Sequence, residues 1–164
     1  MARALQISVF MPNHPGELLR MCGRLRDGGV NILAMSIQNA RDYVNELFRA
    51  RERTGRRMVL AESYRGVLRE SAEYSVVRFV ADAPDRAQDA LAADDAFFVT
   101  VDPVICLRLE HKPGALEDVA RRFSEHGINI DYVYGSALPE DPRSLFVCHV
   151  PDVERGLALF GPAD

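Results

Sequence analysis

Two short stretches carry residues whose chemistry can be read before any fold is assumed: Asn13-His14-Pro15-Gly16-Glu17-Leu18 and His111-Lys112-Pro113-Gly114-Ala115-Leu116. Apolar residues at helical spacing follow each one, and proline is favoured in the first turn of a helix, so a helix is predicted to start at Pro15 and again at Pro113, with Asn13 and His14 ahead of the first to cap it. The first amides of such helices, those of Gly16, Glu17 and Leu18 and those of Gly114, Ala115 and Leu116, have no intrahelical acceptor. Together with the helix dipole they favour a carboxylate. Glycine lets a ligand approach the backbone closely. A plainer account is open for the same residues: caps at Asn13, His14, His111 and Lys112, turns at the glycines, and side-chain-to-backbone hydrogen bonds at Asn31 and Asn129.

Other chemistry is not visible. His14, His111, His126 and His149 show no metal-ligand spacing, and no GxSxG, HExxH, P-loop or GxGxxG followed by a helix is present. No nucleophile stands out, so no catalytic residue, metal or cofactor is expected. Carboxylates brought together by folding, such as Glu17, Glu110 or Asp131, read as a solvated surface. Cys22, Cys106 and Cys148 are odd in number and set among apolar neighbours, which fits buried reduced thiols.

The chain has 164 residues, 48% apolar and 27% charged, with a formal net charge of -4. That composition fits a soluble globular protein and disfavours nucleic acid or an anionic membrane as partner. No apolar run is long enough to span a bilayer, and the start lacks a signal-peptide pattern, so a cytoplasmic location is expected.

The stretches belong to a repeat. Pro15-Gly16 recurs 98 residues later as Pro113-Gly114, and Gly29-Val30-Asn31-Ile32 recurs 98 residues later as Gly127-Ile128-Asn129-Ile130. Each copy reads as a strand, a helix with an apolar stripe (Leu18, Met21, Cys22, Leu25; Leu116, Val119, Ala120, Phe123) and a strand entered through a glycine that ends the helix. A third strand and a second helix starting at Pro84 or Pro151 follow, and the first copy adds a fourth strand around Phe97 to Val101. The order βαββαβ predicts an α+β fold: two ferredoxin-like units side by side, helices on one face of antiparallel sheets.

The copies differ in two ways. Pro84 and Pro151 are only 67 residues apart, so the first copy carries an insertion over about 41–71. Helix-spaced apolar residues either side of Thr54-Gly55 predict a helical arm there. Its eight arginines are interleaved with acids, which fits charge pairing on helix surfaces. The arm is read as a dimerisation element, with a lid over the ligand loop as the alternative. After Phe160 only Gly-Pro-Ala-Asp remains, too little for a fourth strand in the second unit. That leaves a frayed end or a free edge for another chain or the neighbouring unit. The units are assigned to 1–102 and 103–164 with almost no linker.

A strand, a polar loop ending in Pro-Gly, an apolar helix and Gly-[Val/Ile]-Asn-Ile opening the next strand together resemble the ACT domain, and their duplication is similar to a tandem ACT protein. That resemblance implies regulatory binding of a free amino acid between ACT units at the strand-to-helix loops. The implied ligand set is Asn13, His14, Pro15, Gly16, Glu17, Leu18, Val30, Asn31 and Ile32, with His111, Gly114, Ala115, Leu116, Ile128, Asn129 and Ile130 from the second copy. The α-ammonium would find acceptors in Asn13, nearby carbonyls, and Asn31 or Asn129. The first loop matches the family pattern more closely, because His111 stands where Asn13 does. A homodimer and a regulated partner protein are the expected associations. The rival is a scaffold of the same fold without a ligand, and it differs in showing no saturable amino-acid binding. RNA-recognition and metal-chaperone relatives of the fold lack support, since neither stacking aromatics in basic surroundings nor a CxxC loop is present.

Overall fold

The computed structural model describes residues 1–39, 73–136 and 142–160. The expected helical arm at 41–71 and the chain after Phe160 lie outside the described residues. The described elements run β1 (Ala2–Pro12), α1 (Glu17–Asp27), β2 (Ile32–Asn39), β3 (Tyr74–Ala81), α2 (Pro84–Ala92), β4 (Phe98–Glu110), α3 (Ala115–Glu125), β5 (Tyr132–Ser136), β6 (Arg143–His149) and α4 (Val153–Ala158). Their six strands form one antiparallel sheet in the order β2-β3-β1-β4-β6-β5. The fold is α+β, with two ferredoxin-like units in that single sheet.

The fourth strand of the first unit and the first strand of the second are one continuous strand, β4. Its first part is the first unit's fourth strand, paired with β1 from Phe10↔Phe98 to Ala2↔Cys106, and its second part pairs with β6 from Ile105↔Cys148 to Glu110↔Arg143. Pro103 sits in this strand because β6 pairing begins only at Ile105. One side of β4 is locally an edge there, where proline's missing N–H costs no ladder bond. The second unit in turn borrows from the first: Ala2–Leu5 of β1 lie beside 103–106, the place of a fourth strand in the second unit.

Side-chain alternation explains why both helix pairs share one face. Ile7, Val9 and Met11 of β1 and Val77 and Phe79 of β3 pack with Met21 and Leu25 of α1 and Ala87 and Leu91 of α2; Val99 and Val101 of β4 join them. Four residues further along the same side of β4, Ile105 and then Leu107 pack with Val119 and Phe123 of α3 and Val153 of α4. The apolar stripe of α1 is buried as its spacing predicts, while in α3 Ala120 is exposed.

Both long helices end on the same device. Gly29 and Gly127 have φ 64°. The Val30 amide donates to Leu25 C=O and the Gly29 amide to Arg26 C=O, and Ile128 and Gly127 repeat this with Phe123 and Ser124. This is a Schellman motif with its hydrophobic contact, Val30 on Leu25 and Ile128 on Phe123. Pro84 opens α2 as expected. In contrast, α4 begins at Val153 rather than Pro151, because Asp152 caps it by accepting the Arg155 amide at 3.0 Å.

The face without helices is also filled. Ala34, Val80, Val104 and Val147, with Ala4, Cys106, Tyr134 and Leu145, form a core that draws on every strand, and edge strands β2 and β5 come within 8 Å of each other. The sheet is therefore curled, with this face inside. At its centre Gln6 is fully buried. Its Nε2 donates to Tyr132 Oη at 2.6 Å and to Ser8 Oγ at 3.2 Å, and Tyr134 Oη donates to its Oε1 at 3.1 Å. Burial, with Tyr132 nearby, pushes the Tyr134 phenol well above its ordinary pKa. The Arg78 guanidinium lies 4.7 Å from the centre of the Tyr132 ring.

A second polar lock joins α1 to the segment after α2. Asp94 receives a bidentate pair of hydrogen bonds from Arg20 and a third bond from Arg24 at 3.2 Å, and its Oδ1 also accepts the Ala96 amide at 3.1 Å. The Arg20 hydrogen bonds hold the Asp94 carboxyl below its usual range. A folded pKa below the unfolded value gives stability that is present above the ordinary carboxylate value, about 3.9, and is lost as pH falls through the folded value. The melting temperature of the wild type should therefore drop more steeply than that of Asp94→Asn between pH 6 and pH 3; parallel curves would remove Asp94 from this role. Gln6→Ala, which strands two half-buried tyrosine hydroxyls, should cost about 2–4 kcal/mol in urea denaturation. A loss below about 0.5 kcal/mol would show that the tyrosines find other partners.

Candidate functional site

Each Pro-Gly pair makes a turn before its helix and does not open it. Gly16 and Gly114 are the N-cap residues, with φ 99° and 88°, and the helices start at Glu17 and Ala115. The Glu17 amide donates to His14 C=O and the Ala115 amide to Lys112 C=O, both at 3.3 Å. Proline at the second position and a left-handed glycine at the third make type II turns, which is why the expected helix starts at Pro15 and Pro113 are displaced by two residues. Asn13 and His14 do not cap: neither long helix has a side-chain N-cap bond. The first intrahelical bonds are Arg20 N–H to Gly16 C=O and Asp118 N–H to Gly114 C=O. In α3 the amides of Leu116 and Glu117 thus precede any intrahelical acceptor, with no side-chain cap standing in for one.

The polar residue ahead of each turn is tied to the neighbouring strand. The Asn13 amide donates to Glu73 C=O and Ser75 Oγ donates to Asn13 Oδ1 at 2.9 Å. In the second unit the His111 amide donates to Pro142 C=O, and His111 Nδ1 lies 2.9 Å from Ser144 Oγ. Both serines are buried.

Around the second turn lies a cleft of about 460 Å³, lined by Glu110, His111, Lys112, Pro113, Gly114, Ala115, Leu116, Glu117, Ser144 and Phe146. It combines the N-terminus of α3 with both signs of charge and an aromatic wall. Lys112 and Glu110 form an ion pair: the Lys112 hydrogen bond and charge hold the Glu110 carboxyl low, and those of Glu110 hold the Lys112 ammonium high. Glu117 receives a hydrogen bond from Arg121 at 2.8 Å. At the first turn the position of Ala115 is taken by Glu17, whose carboxylate is 3.6 Å from Arg20 and has a buried Oε2. Arg20 also lies over the Phe97 ring. His14, Pro15 and Gly16 are exposed, and Leu18 packs on the first core.

The candidate residues therefore divide. His111, Gly114, Ala115 and Leu116 meet in the cleft. Val30, Ile32, Ile128 and Ile130 face the two cores beneath the helices. Asn31 is bound to Asp82, through its amide at 2.9 Å and its Nδ2 at 3.0 Å. Asp82 follows β3, whereas Asn13 is held at its start, so the eight-residue strand separates them by roughly 20 Å. Asn129 donates to Asp131, which pairs with His149 at the end of β6, the opposite end from His111. The structure thus does not bring Asn31 to Asn13 or Asn129 to His111. Glu110, Lys112, Pro113, Glu117, Ser144 and Phe146 were not in the sequence-derived set. Ser144 had a signal: each third strand carries serine at its second position, Ser75 and Ser144.

Among the described residues, no group of three or more His, Cys, Asp or Glu side chains is placed to hold a metal ion, and no helix is long and apolar enough to cross a membrane. A Cβ at Gly114 would meet nothing within 4 Å, so the cost of Gly114→Ala is conformational only. It should lower stability by about 1 kcal/mol in urea denaturation while leaving the core intact. A loss above about 3 kcal/mol would mean that the turn carries more of the fold than its contacts show.

Comparison with known proteins places this geometry. No curated protein matches the chain. Among solved structures, protein BT0572 from Bacteroides thetaiotaomicron is similar at a TM-score of 0.70 with 21% identity, over 96% of this chain and 85% of that one. The ligand-free regulatory subunit of aspartate kinase from Thermus thermophilus is similar at 0.59 with 13% identity, over 97% and 93%. At these identities the likeness is one of fold. The family model for the ACT domain pair matches residues 65–159, more than half of the chain. With the duplicated Pro-Gly turns and Gly-[Val/Ile]-Asn-Ile segments on the two ferredoxin-like units, this chain belongs to the ACT domain pair family.

Proposed function

We propose that the chain is a regulatory module that binds a free amino acid at the turn between β4 and α3 and has no catalysis of its own. The observation that carries this reading is an uncapped helix N-terminus opening into a cleft of about 460 Å³ that holds both signs of charge. The volume is within the common range for small-molecule sites, about 300–1,000 Å³. In the proposed pose the ligand carboxylate takes the Leu116 and Glu117 amides, where a Ser, Thr or Asp cap would otherwise sit. The ammonium faces the Glu110 or Glu117 carboxylate. The ligand's side chain lies against Phe146 and Leu116. The first turn, with Glu17 in place of Ala115, is the weaker site.

The cleft lining comes from the second unit alone and extends past Cys106, the last β4 residue paired with β1. Completion of the site between two units, the arrangement that the family resemblance implies, is therefore assigned to a second copy of the chain. A homodimer follows, and light scattering of the full chain tests it: a strictly monomeric mass at tens of micromolar would count against completion by a second copy. A regulated partner protein would read the liganded state.

The binding test is a thermal-shift screen against the twenty amino acids at millimolar concentration. A ligand that binds only the folded state raises the melting temperature by mass action, about 2.7 kcal/mol at a hundredfold excess over Kd, or several degrees. One amino acid or a related group should give that shift. Ala115→Phe, which fills the mouth of the cleft, should abolish it, and Gly16→Ala should not. No shift with any of the twenty would leave the ligand-free scaffold as the better reading.

A further inference from the structure

The two turns are pinned by the same bond with different chemistry. In the first, Ser75 donates to the Asn13 carboxamide oxygen; in the second, the Ser144 hydroxyl meets His111 Nδ1. Ser144 is 2% exposed. A hydroxyl so buried needs an acceptor for its proton, and Nδ1 at 2.9 Å is placed to be that acceptor, as Asn13 Oδ1 is in the first turn. A neutral imidazole that accepts at Nδ1 carries its proton on Nε2. His111 is exposed and lines the cleft.

We infer that Ser144 is a positioning residue of the second cleft, holding His111 as the Nε2–H tautomer so that the imidazole presents an N–H donor to the ligand's carboxylate. The inference rests on the amino-acid-binding reading above and adds Ser144 to it as a determinant of affinity. The charged groups that line the cleft with His111 are Glu110 and Lys112 beside it and Glu117 on α3. Glu110 and Lys112 neutralise each other, Glu117 bonds Arg121, and Arg143 lies opposite Glu110 in the ladder. Ser144 acts as a positioning residue and His111 as the contact.

Nitrogen-15 NMR of the full chain at pH 8.5, with the His111 signals identified by their loss in His111→Asn, should show the Nε2–H tautomer. The Nδ1–H tautomer would overturn the assignment. Ser144→Ala should shift His111 towards a mixture of tautomers, a readout that a purely structural serine would leave unmoved. Glycine and sodium acetate are then titrated at pH 8.5 into the wild type and Ser144→Ala, following the amides of Gly114, Ala115, Leu116 and Glu117. Binding should be about three- to fivefold weaker in Ser144→Ala, the size expected when one neutral hydrogen-bond donor is no longer held in place. Equal affinities in the two proteins overturn the inference and leave the binding reading intact. If neither probe moves those amides, the binding reading fails and this inference fails with it.

Discussion

The antiparallel pairing of β1 with β4 is the constraint on which the rest of the molecule depends. Each of these strands serves both units: Phe98–Val101 give the first unit its fourth strand, and Ala2–Leu5 fill that place in the second. The second unit has no complete sheet without Ala2–Leu5. Separating the units would break a ladder running from Ala2↔Cys106 to Phe10↔Phe98 and leave two edges of unpaired amides and carbonyls. The exchange makes the two units one sheet rather than two domains on a linker.

Continuity of β4 also settles where everything else goes. Because the strand is unbroken, Val99 and Val101 point to the same side as Ile105 and Leu107, so the helices of both units must stack on one face. The other face curls inward, and Gln6 with its two tyrosines occupies the centre. A one-residue slip of β1 would drive Gln6 into the apolar layer under α1 and turn Ile7 to the concave side. The polar network therefore specifies register: in the native pairing Gln6 is fully satisfied, and in the slipped one it is buried without partners.

The sequence disclosed what depends on local periodicity and backbone chirality. The stripe Met21 and Leu25, its counterpart Val119 and Phe123, and the glycines with φ 64° that end both helices were all legible, because each is set by residues within a few positions. The Pro-Gly pairs were legible as motifs and misread as helix starts, since a type II turn and a first helical turn share the same proline. Merging of two strands into β4 was hidden by Asp102-Pro103, which reads as a break unless the late start of β6 pairing is known. The cleft was only half legible. Its backbone came from the repeat, but Ser144 and Phe146 reach it from β6, about 30 residues away in the chain, and Asn31 and Asn129 left it because α1 and α3 run from the turns to the far end of the sheet, where Asn31 meets Asp82 and Asn129 meets Asp131.

What the two copies retain and what they change are different kinds of residue, and the division bears on function. Retained are the left-handed glycine, the proline before it, and the serine that pins the preceding polar side chain; all of these hold the backbone of the turn. Changed are the side chains facing outward from that backbone: Pro12 against Glu110, Asn13 against His111, His14 against Lys112, Glu17 against Ala115, Leu19 against Glu117. A turn kept only to start a helix would be served as well by a Ser or Asp cap, which would also satisfy the orphan amides by about 1 kcal/mol. Both copies forgo that cap and hold glycine instead. In the second copy the residue after it is small, the surrounding side chains are ionic, and the amides face a cleft. An uncapped helix end among paired charges is costly as pure scaffold and apt for a ligand that brings its own carboxylate.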